Sequence, residues 1–392
     1  MKTGVFNYLE LDRVHFGKPV KEALQSEANQ RDAKRIFVVT SRSLNRNTDA
    51  VTQALALISE QVVGLFDECV EHTPRDTVLA LANALRATNA DLVVSIGGGT
   101  VIDTVKVALI ALAEGLTHIE QFDDWHMRVA TDGSRVVPHP RPPPCRQIAV
   151  PTTLSGAEFS DLGGCTDTRF GTKQGYTGTF IGAAAVVLDP CMTVHTPDRL
   201  WLSTGVRAVD HAVEALCSIN AQALIDATSV RALMLLGRSL TRYAIDPTDL
   251  EARLDGQLGA WLAATSIRRT EYGASHGLGH ALGADAGVPH GITSCVLLPT
   301  VMRYNADVCA PQMAEIAAAL GDAHKPAADQ VETLITRLGL PTRLSQLELP
   351  GFSRERLAVI AEKGMANPWV RTNPRPVKDA AQLEELLQQA WD

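Results

Sequence analysis

The chain has 392 residues, 45% hydrophobic and 20% charged, with 44 acidic against 36 basic side chains and a formal charge of −8. That length holds two packed domains, and the composition excludes a disordered, collagen-like or disulfide-scaffold protein. No basic block interleaves with aromatics, which argues against a nucleic-acid surface, and no run of about 18 apolar residues is present to span a membrane. The seven cysteines, odd in number and without a Cys-x-x-Cys pair, read as reduced thiols. Residues 1–17 carry no apolar core of a secretory signal, so a cytoplasmic protein is expected.

The first half alternates short apolar runs with helical stretches. Arg35–Thr40 reads as a strand ending at Ser41, Asp49–Ser59 as a helix, Val62–Phe66 as a strand and Thr77–Arg86 as a helix. Asp91–Ile96 is a buried-strand pattern running into Gly97, Gly98 and Gly99, and Val101–Leu112 is a helix. Such repetition predicts a parallel sheet with helices on its faces. The proline-rich stretch Asp124–Arg146 reads as a loop. Gln147–Val150 is another strand, leading into Pro151-Thr152-Thr153, and Ala184–Leu188 is the last clear strand. Beyond it Thr204–Ile219, Ala221–Ile245, Leu250–Ser266, Ala310–Leu320 and Gln330–Leu338 are amphipathic and helical. The change falls near Thr193–Pro197. Domains are expected over 1–192 and 193–392.

Glycines 97–99 let a strand-to-helix turn bring backbone N–H groups close to a pyrophosphate, with the helix dipole at Thr100 adding to the attraction. An ordinary tight turn is the alternative, and the loop is not Gly-x-Gly-x-x-Gly. The strand before it, the helix after it and Asp103 favour a nucleotide site. After the first strand, where a carboxylate would exclude a 2′-phosphate, stand Ser41 and Arg42, neither hostile to NADPH.

His276, His280 and His290 sit in one glycine-punctuated segment. His276 and His280 are four apart and share a helix face. His211 lies earlier, in a helix for which Ser203 or Thr204 is a plausible N-cap.

In this order, Ile96-Gly-Gly-Gly-Thr-x-x-Asp103-x-x-Lys106, Pro151-Thr152-Thr153, Leu188-Asp-Pro190, the segment around His211 and His276-x3-His280-x9-His290-Gly291 resemble the iron-type (group III) alcohol dehydrogenase family. The resemblance implies a dehydroquinate synthase-like architecture. This has an α/β nucleotide-binding domain with a Rossmann-like parallel sheet, an all-helical domain, and a cleft between them holding NAD(H) or NADP(H) and a metal. It also implies that Gly97, Gly98, Gly99, Thr100, Asp103, Thr152, Thr153 and Lys173 belong to the cofactor site. His211, His276 and His290 fall at metal-ligand positions, and His280 is a candidate proton donor.

Two departures matter. Metal-bearing members place an Asp four residues before the first histidine ligand, and here that position is Arg207, whose guanidinium would repel a divalent ion. The site is therefore expected to lack metal; if one binds, its ligands are His211, His276 and His290. Arg207 is expected to hold a substrate carboxylate, or else to pair with Asp210 or Glu214 on its own helix. The second departure is Pro151-Thr-Thr-Leu-Ser-Gly-Ala-Glu158, one residue shorter than Thr-Thr-x-Gly-Thr-Gly-Ser-Glu. It resembles the maleylacetate reductase branch, as does Asn373-Pro-Arg-Pro376. The expected protein is a homodimeric NAD(P)H-dependent reductase of a carboxylated oxo or enoyl substrate such as maleylacetate, acting through Arg207 and His211, His276, His280 and His290. A metal-dependent alcohol dehydrogenase, a dehydroquinate synthase-type lyase and a nucleotide-binding protein without catalysis remain as alternatives. The lyase is disfavoured because its basic phosphate-binding clusters are not evident.

Overall fold

The computed structural model describes residues 4–130 and 134–392. They form two compact units, Tyr8–Thr196 and Pro197–Asp392, with the N-terminal residues through Asn7 belonging to the second. Phe6 packs beside Ala215, Ile225 and Tyr272 of that unit, and the Asn7 carbonyl accepts from Arg269 Nε at 3.0 Å.

The elements of the first unit are β1 (Arg13–Phe16), α1 (Val20–Gln30), β2 (Ile36–Thr40), α2 (Arg42–Asn47), α3 (Ala50–Leu55), β3 (Val62–Phe66), α4 (Arg75–Thr88), β4 (Leu92–Gly97), α5 (Gly99–Glu114), β5 (Arg128–Val129), β6 (Arg135–Val136), β7 (Arg146–Pro151), β8 (Leu162–Asp167), β9 (Thr172–Thr177) and β10 (Ala183–Leu188). Six strands make one sheet in the order β1-β10-β7-β4-β2-β3, parallel at every pairing. Strands β2, β4 and β10 are buried along their whole length, because helices cover both faces of such a sheet. Side chains alternate between two cores. Ile36, Val38, Val94 and Ile148 pack with Leu24 and Val51 on one face; Phe37, Val39 and Val93 pack with Leu81, Val105 and Leu109 on the other.

The sequence reading needs four corrections here. The helix expected over Asp49–Ser59 ends at Leu55. The stretch expected to be a loop, Asp124–Arg146, contains the small antiparallel pair β5 and β6, and its residues 131–133 lie outside those described. An antiparallel hairpin, β8 with β9, stands where no strand was anticipated. The short β1 was likewise unread.

The second unit is helical: α6 (Asp198–Leu216), α7 (Ala223–Ile245), α8 (Leu250–Ala264), α9 (Ala274–Ala286), α10 (His290–Asn305), α11 (Ala310–Ala319), α12 (Ala327–Arg337), α13 (Leu357–Met365), α14 (Pro368–Arg371) and α15 (Ala380–Trp391). Helix α6 packs against α7, α8, α9 and α10, which explains why Val206–Leu216 is buried on every side. It begins at Asp198 after Pro197, not at Ser203 or Thr204. Those two side chains lie inside the helix and donate back to carbonyls a turn earlier. None of the helices is long and apolar enough to cross a membrane among the described residues.

Candidate active site

In the first unit the nucleotide-site residues gather at the carboxyl ends of three adjacent strands. Thr40 is in register with Ile96 and Gly97 with Pro151. Hence Ser41, Gly97–Gly99 and Thr152-Thr153 follow neighbouring strands, the place where open parallel sheets take ligands. The Thr152 N–H donates to the Gly97 carbonyl at 3.0 Å. Gly98 caps α5, and a Cβ on it would lie 3.0 Å from Thr153 Cγ2; one on Gly99 would lie 3.0 Å from Ser155 Oγ. The threonine loop therefore walls the glycine turn, while Thr100 opens the first turn of α5. Ser41 caps α2, its hydroxyl accepting from the Leu44 N–H at 3.3 Å. Arg42 is exposed and 3.7 Å from Glu68.

Asp103 turns its oxygens into the protein: Oδ1 accepts from Lys106 Nζ at 3.1 Å and Oδ2 from the Gly164 N–H at 3.0 Å. Lys106 is fully buried and also donates to the carbonyls of Ala157 and Leu162. It thereby ties α5 to the loop beside Gly99. Lys173, on β9 rather than in a loop, lies across Gly164. Its Cε would be 2.8 Å from a Gly164 Cβ, and Asp103 Oδ2 is 3.7 Å from the same point. Glu158 is buried with Oε2 lacking a hydrogen-bond partner. Burial, opposed by Lys106 and helped by Asp103, pushes its carboxyl up to about 7.

In the second unit α6, α9 and α10 bring the other candidate residues together. Ring centroids are 4.9 Å apart for His211 and His276 and 5.4 Å for His280 and His290. Tyr272 stacks on His276 at 4.1 Å, and Trp369 lies 4.8 Å from His280. Arg207 is buried. Its Nη1 donates to Ser294 Oγ at 3.0 Å and to Asp210 Oδ2 at 3.5 Å, so of its two possible helix partners it takes Asp210. Asp210 Oδ2 also accepts from the hydroxyls of Ser275 (2.9 Å) and Ser294 (2.6 Å). Burial lowers Arg207 from its ordinary value against the pull of Asp210, Tyr272 and Glu214, yet a guanidinium stays protonated. Burial works to raise Asp210, but His276, Arg207 and Ser294 outweigh it and hold the carboxyl low. His211 is held well below its usual value by burial first, then by the charges of His276, Arg207 and His290. It is neutral at pH 7.

Asn367 escaped the sequence reading altogether, and Glu214 and Asn373 were read there without the roles they have here. Glu214 receives the N–H groups of Gly273 (3.0 Å), Ser275 (2.9 Å) and His276 (3.2 Å), and also His276 Nδ1 (2.8 Å). Asn373 Oδ1 receives the Ala274 N–H at 3.0 Å. Asn367 Nδ2 donates to His280 Nδ1 at 3.4 Å. The only available signal was the i, i+3, i+7 spacing of Arg207, Asp210 and Glu214 on one helix; no local spacing announces Asn367 or Asn373.

The residues do not fit a divalent ion well. An ion among His211, His276 and His290 would have no anionic protein ligand and would share a buried neighbourhood with a fixed guanidinium. Asp210, Glu214 and His276 do offer ligand atoms within 4.8 Å of one another. However, Glu214 already receives four donors and Asp210 Oδ2 three. Asp210 Oδ1 and His276 Nε2 nonetheless remain buried without hydrogen-bond partners, so most but not all of the cluster's polar atoms are taken.

Comparison with known proteins gives the family. The family described as "Iron-containing alcohol dehydrogenase" matches residues 12–190, and "Fe-containing alcohol dehydrogenase family, C-terminal" matches residues 201–391. The chain is similar to the dehydrogenase ALT3 of Alternaria alternata, with 34% identity covering 87% of this chain and 94% of that one. It is also similar to a maleylacetate reductase of Burkholderia cepacia, at 28% identity over 97% and 96% of the two chains. The crystal structure of maleylacetate reductase from Agrobacterium tumefaciens superposes with a TM-score of 0.82 at 26% identity, covering 100% of this chain and 99% of that one.

Proposed function

Because the chain belongs to the iron-containing alcohol dehydrogenase family, and is therefore an oxidoreductase, we propose that it reduces a carboxylated oxo or enoyl substrate such as maleylacetate with NADH or NADPH, and without a metal ion. The observation that carries the reading is Arg207. Its guanidinium is largely buried, and its hydrogen bonds to Ser294 and Asp210 both come from Nη1, which leaves the rest of the fork for a ligand. A buried cation with unspent donors calls for an anionic ligand, and a carboxylate matches its fork.

Bound NAD(P)H supplies the hydride. The N–H groups at the start of α5, with Gly98 and Gly99 allowing close approach, take the pyrophosphate; Thr152 and Thr153 line the same edge, and Lys173 stands beside Gly164 and Asp103. Arg207 anchors the substrate carboxylate and opposes negative charge that develops on oxygen. His280, with Asn367 donating to Nδ1, carries its proton on Nε2 when neutral and gives the proton that balances the hydride. Ser41 and Arg42 leave room for a 2′-phosphate.

A second reading, a three-histidine metal alcohol dehydrogenase, draws on two buried ring nitrogens without hydrogen-bond partners, Nδ1 of His211 and Nε2 of His276. One experiment separates the two: elemental analysis of the purified protein by ICP-MS, with NAD(P)H oxidation by maleylacetate followed with and without EDTA. Metal-free protein with EDTA-insensitive turnover supports the first. Stoichiometric metal with EDTA-sensitive turnover overturns it in favour of the second.

A further inference from the structure

No carboxylate follows β2 in the sequence, yet the fold brings one to that place from the neighbouring strand. Strands β2 and β3 run parallel, with Val39 opposite Phe66, so the segments that follow them emerge side by side. Asp67 and Glu68 come directly after β3, and an isolated antiparallel bridge joins Glu68 to Ser41. Arg42 and Arg46 lie four residues apart on α2 and so share one face of it. Two acidic and two basic side chains thus meet where a parallel-sheet nucleotide site receives the ribose 2′ position.

The two ion pairs are unlike. Arg46 grips Asp67 with both arms of its fork, Nε to Oδ2 at 2.9 Å and Nη2 to Oδ1 at 3.3 Å, and Asn45 Nδ2 donates to the same carboxylate at 3.0 Å. The Asp67 side chain is only 10% exposed, so moving Arg46 away would leave a shielded carboxylate with Asn45 alone. Arg42 meets Glu68 through one contact of 3.7 Å, too long for a hydrogen bond, and the two side chains are 58% and 63% exposed. A pair of that kind contributes little. Arg42 can therefore change partner cheaply, and Arg46 cannot.

We propose that Glu68 is a positioning residue that sets cofactor choice: its carboxylate holds Arg42 and competes for it with the 2′-phosphate of NADPH. This rests on the NAD(P)H reading above. A phosphate monoester near pH 7 carries close to two negative charges and three acceptor oxygens, so it matches the guanidinium fork better than a single long carboxylate contact does. It must still displace Glu68 and sit near that negative charge. NADH, with a hydroxyl at the 2′ position, makes no claim on Arg42 and leaves the pair intact. Glu68 therefore weakens NADPH selectively, and the balance between the cofactors reflects this contest as well as the missing carboxylate at Ser41.

The test is fluorescence titration of the full-length protein with NADH and with NADPH, in wild type, Glu68→Gln, Arg42→Met and the double variant. The quantity read is the ratio of the NADH to the NADPH dissociation constant. Glu68→Gln should raise it about threefold, the scale of releasing one exposed ion pair, through tighter NADPH binding. A gain in affinity is not what structural damage produces. Arg42→Met should lower the ratio about tenfold, the scale of a hydrogen bond to a charged group. In the Arg42→Met background, Glu68→Gln should change the ratio by less than about twofold, because the residue through which it acts is gone. An unchanged ratio in Glu68→Gln overturns the inference, as does an equal gain with and without Arg42. If wild-type protein binds both cofactors and only the ratios fail to move, the NAD(P)H reading stands and Glu68 drops out. If it binds neither, that reading falls and takes the inference with it.

Discussion

Replacing Arg207 by methionine separates the guanidinium's charge from its packing. At 3.5 Å from Asp210 and an effective dielectric constant of about 20, the attraction lost is about 5 kcal/mol. Several kcal/mol of that is returned because the guanidinium no longer has to be buried, which agrees with burial being the dominant influence on Arg207. Asp210 keeps the hydroxyl donors of Ser275 and Ser294, so the carboxylate is weakened rather than stranded. The fold should therefore lose about 1–3 kcal/mol, less than the 3–5 kcal/mol typical of orphaning a buried charge. Catalysis should lose more: about 2–4 kcal/mol in kcat/KM, the scale of one electrostatic donor at the reacting centre. The assay is NAD(P)H oxidation with maleylacetate beside urea unfolding, and the double variant Arg207→Met/Asp210→Asn completes the cycle. Removing both charges should restore stability but not activity. If activity returns together with stability, Arg207 is only the partner of Asp210 and has no part in the reaction.

Three further outcomes follow from the first unit and its cofactor edge. Gly98→Val pushes a branched side chain against Thr153, whose Cγ2 is already 3.0 Å from a bare Cβ; NADPH affinity measured by fluorescence titration should fall at least tenfold with the circular dichroism spectrum retained, and undiminished affinity would remove the loop from the site. Wild-type enzyme should use NADPH at least as well as NADH, and Ser41→Asp should turn the kcat/KM ratio toward NADH by setting a carboxylate against the 2′-phosphate. The folded-state value of Glu158, about 7 against 4.5 for the free side chain, is raised. Its contribution to stability is therefore fully present below about pH 4.5 and is lost as pH rises through 7. Glu158→Gln should flatten that loss and gain on the order of 3 kcal/mol at pH 8 relative to pH 4.5, read from unfolding midpoints; an identical pH dependence in both proteins would show that folding does not raise the carboxyl.

How much was legible depended on whether a residue's partner lay nearby in sequence. Strands β2, β4 and β10 announce themselves as unbroken apolar runs because both faces are covered. Strand β1 does not, because Arg13 and Phe16 are exposed and only its middle is half-buried. The hairpin β8–β9 was hidden by Gly163, Gly164 and Gly175, which lower strand propensity but are accommodated where a Cβ would strike Val107, Lys173 and Met127. At the start of α6, two good capping residues outweighed the Pro-Asp pair that begins the helix, since hydroxyl side chains also sit comfortably inside helices by bonding back. His276 and His280 were visible through helical spacing, and His211, His290 and Arg207 through the family resemblance. Glu214 as the cap of α9 and Asn373 as its companion were not, because their partners are backbone N–H groups some sixty and one hundred residues away, and backbone groups leave no mark on the sequence.

The pairing of β1 with β10 bears on how the first unit is made. Arg13 is in register with Ala185 and Phe16 with Leu188, so the first strand synthesised waits for the last before it has a neighbour. Parallel pairings between such distant segments close large loops and form slowly. On the ribosome, β2, β4 and β7 emerge long before β10 can insert between β7 and β1. Until then the edge of β7 that β10 will cover is open to association with another chain. Yield during expression should therefore depend on how quickly residues 183–188 follow residues 146–151 out of the exit tunnel, and slow codons placed between the two strands should favour aggregation without altering the mature protein.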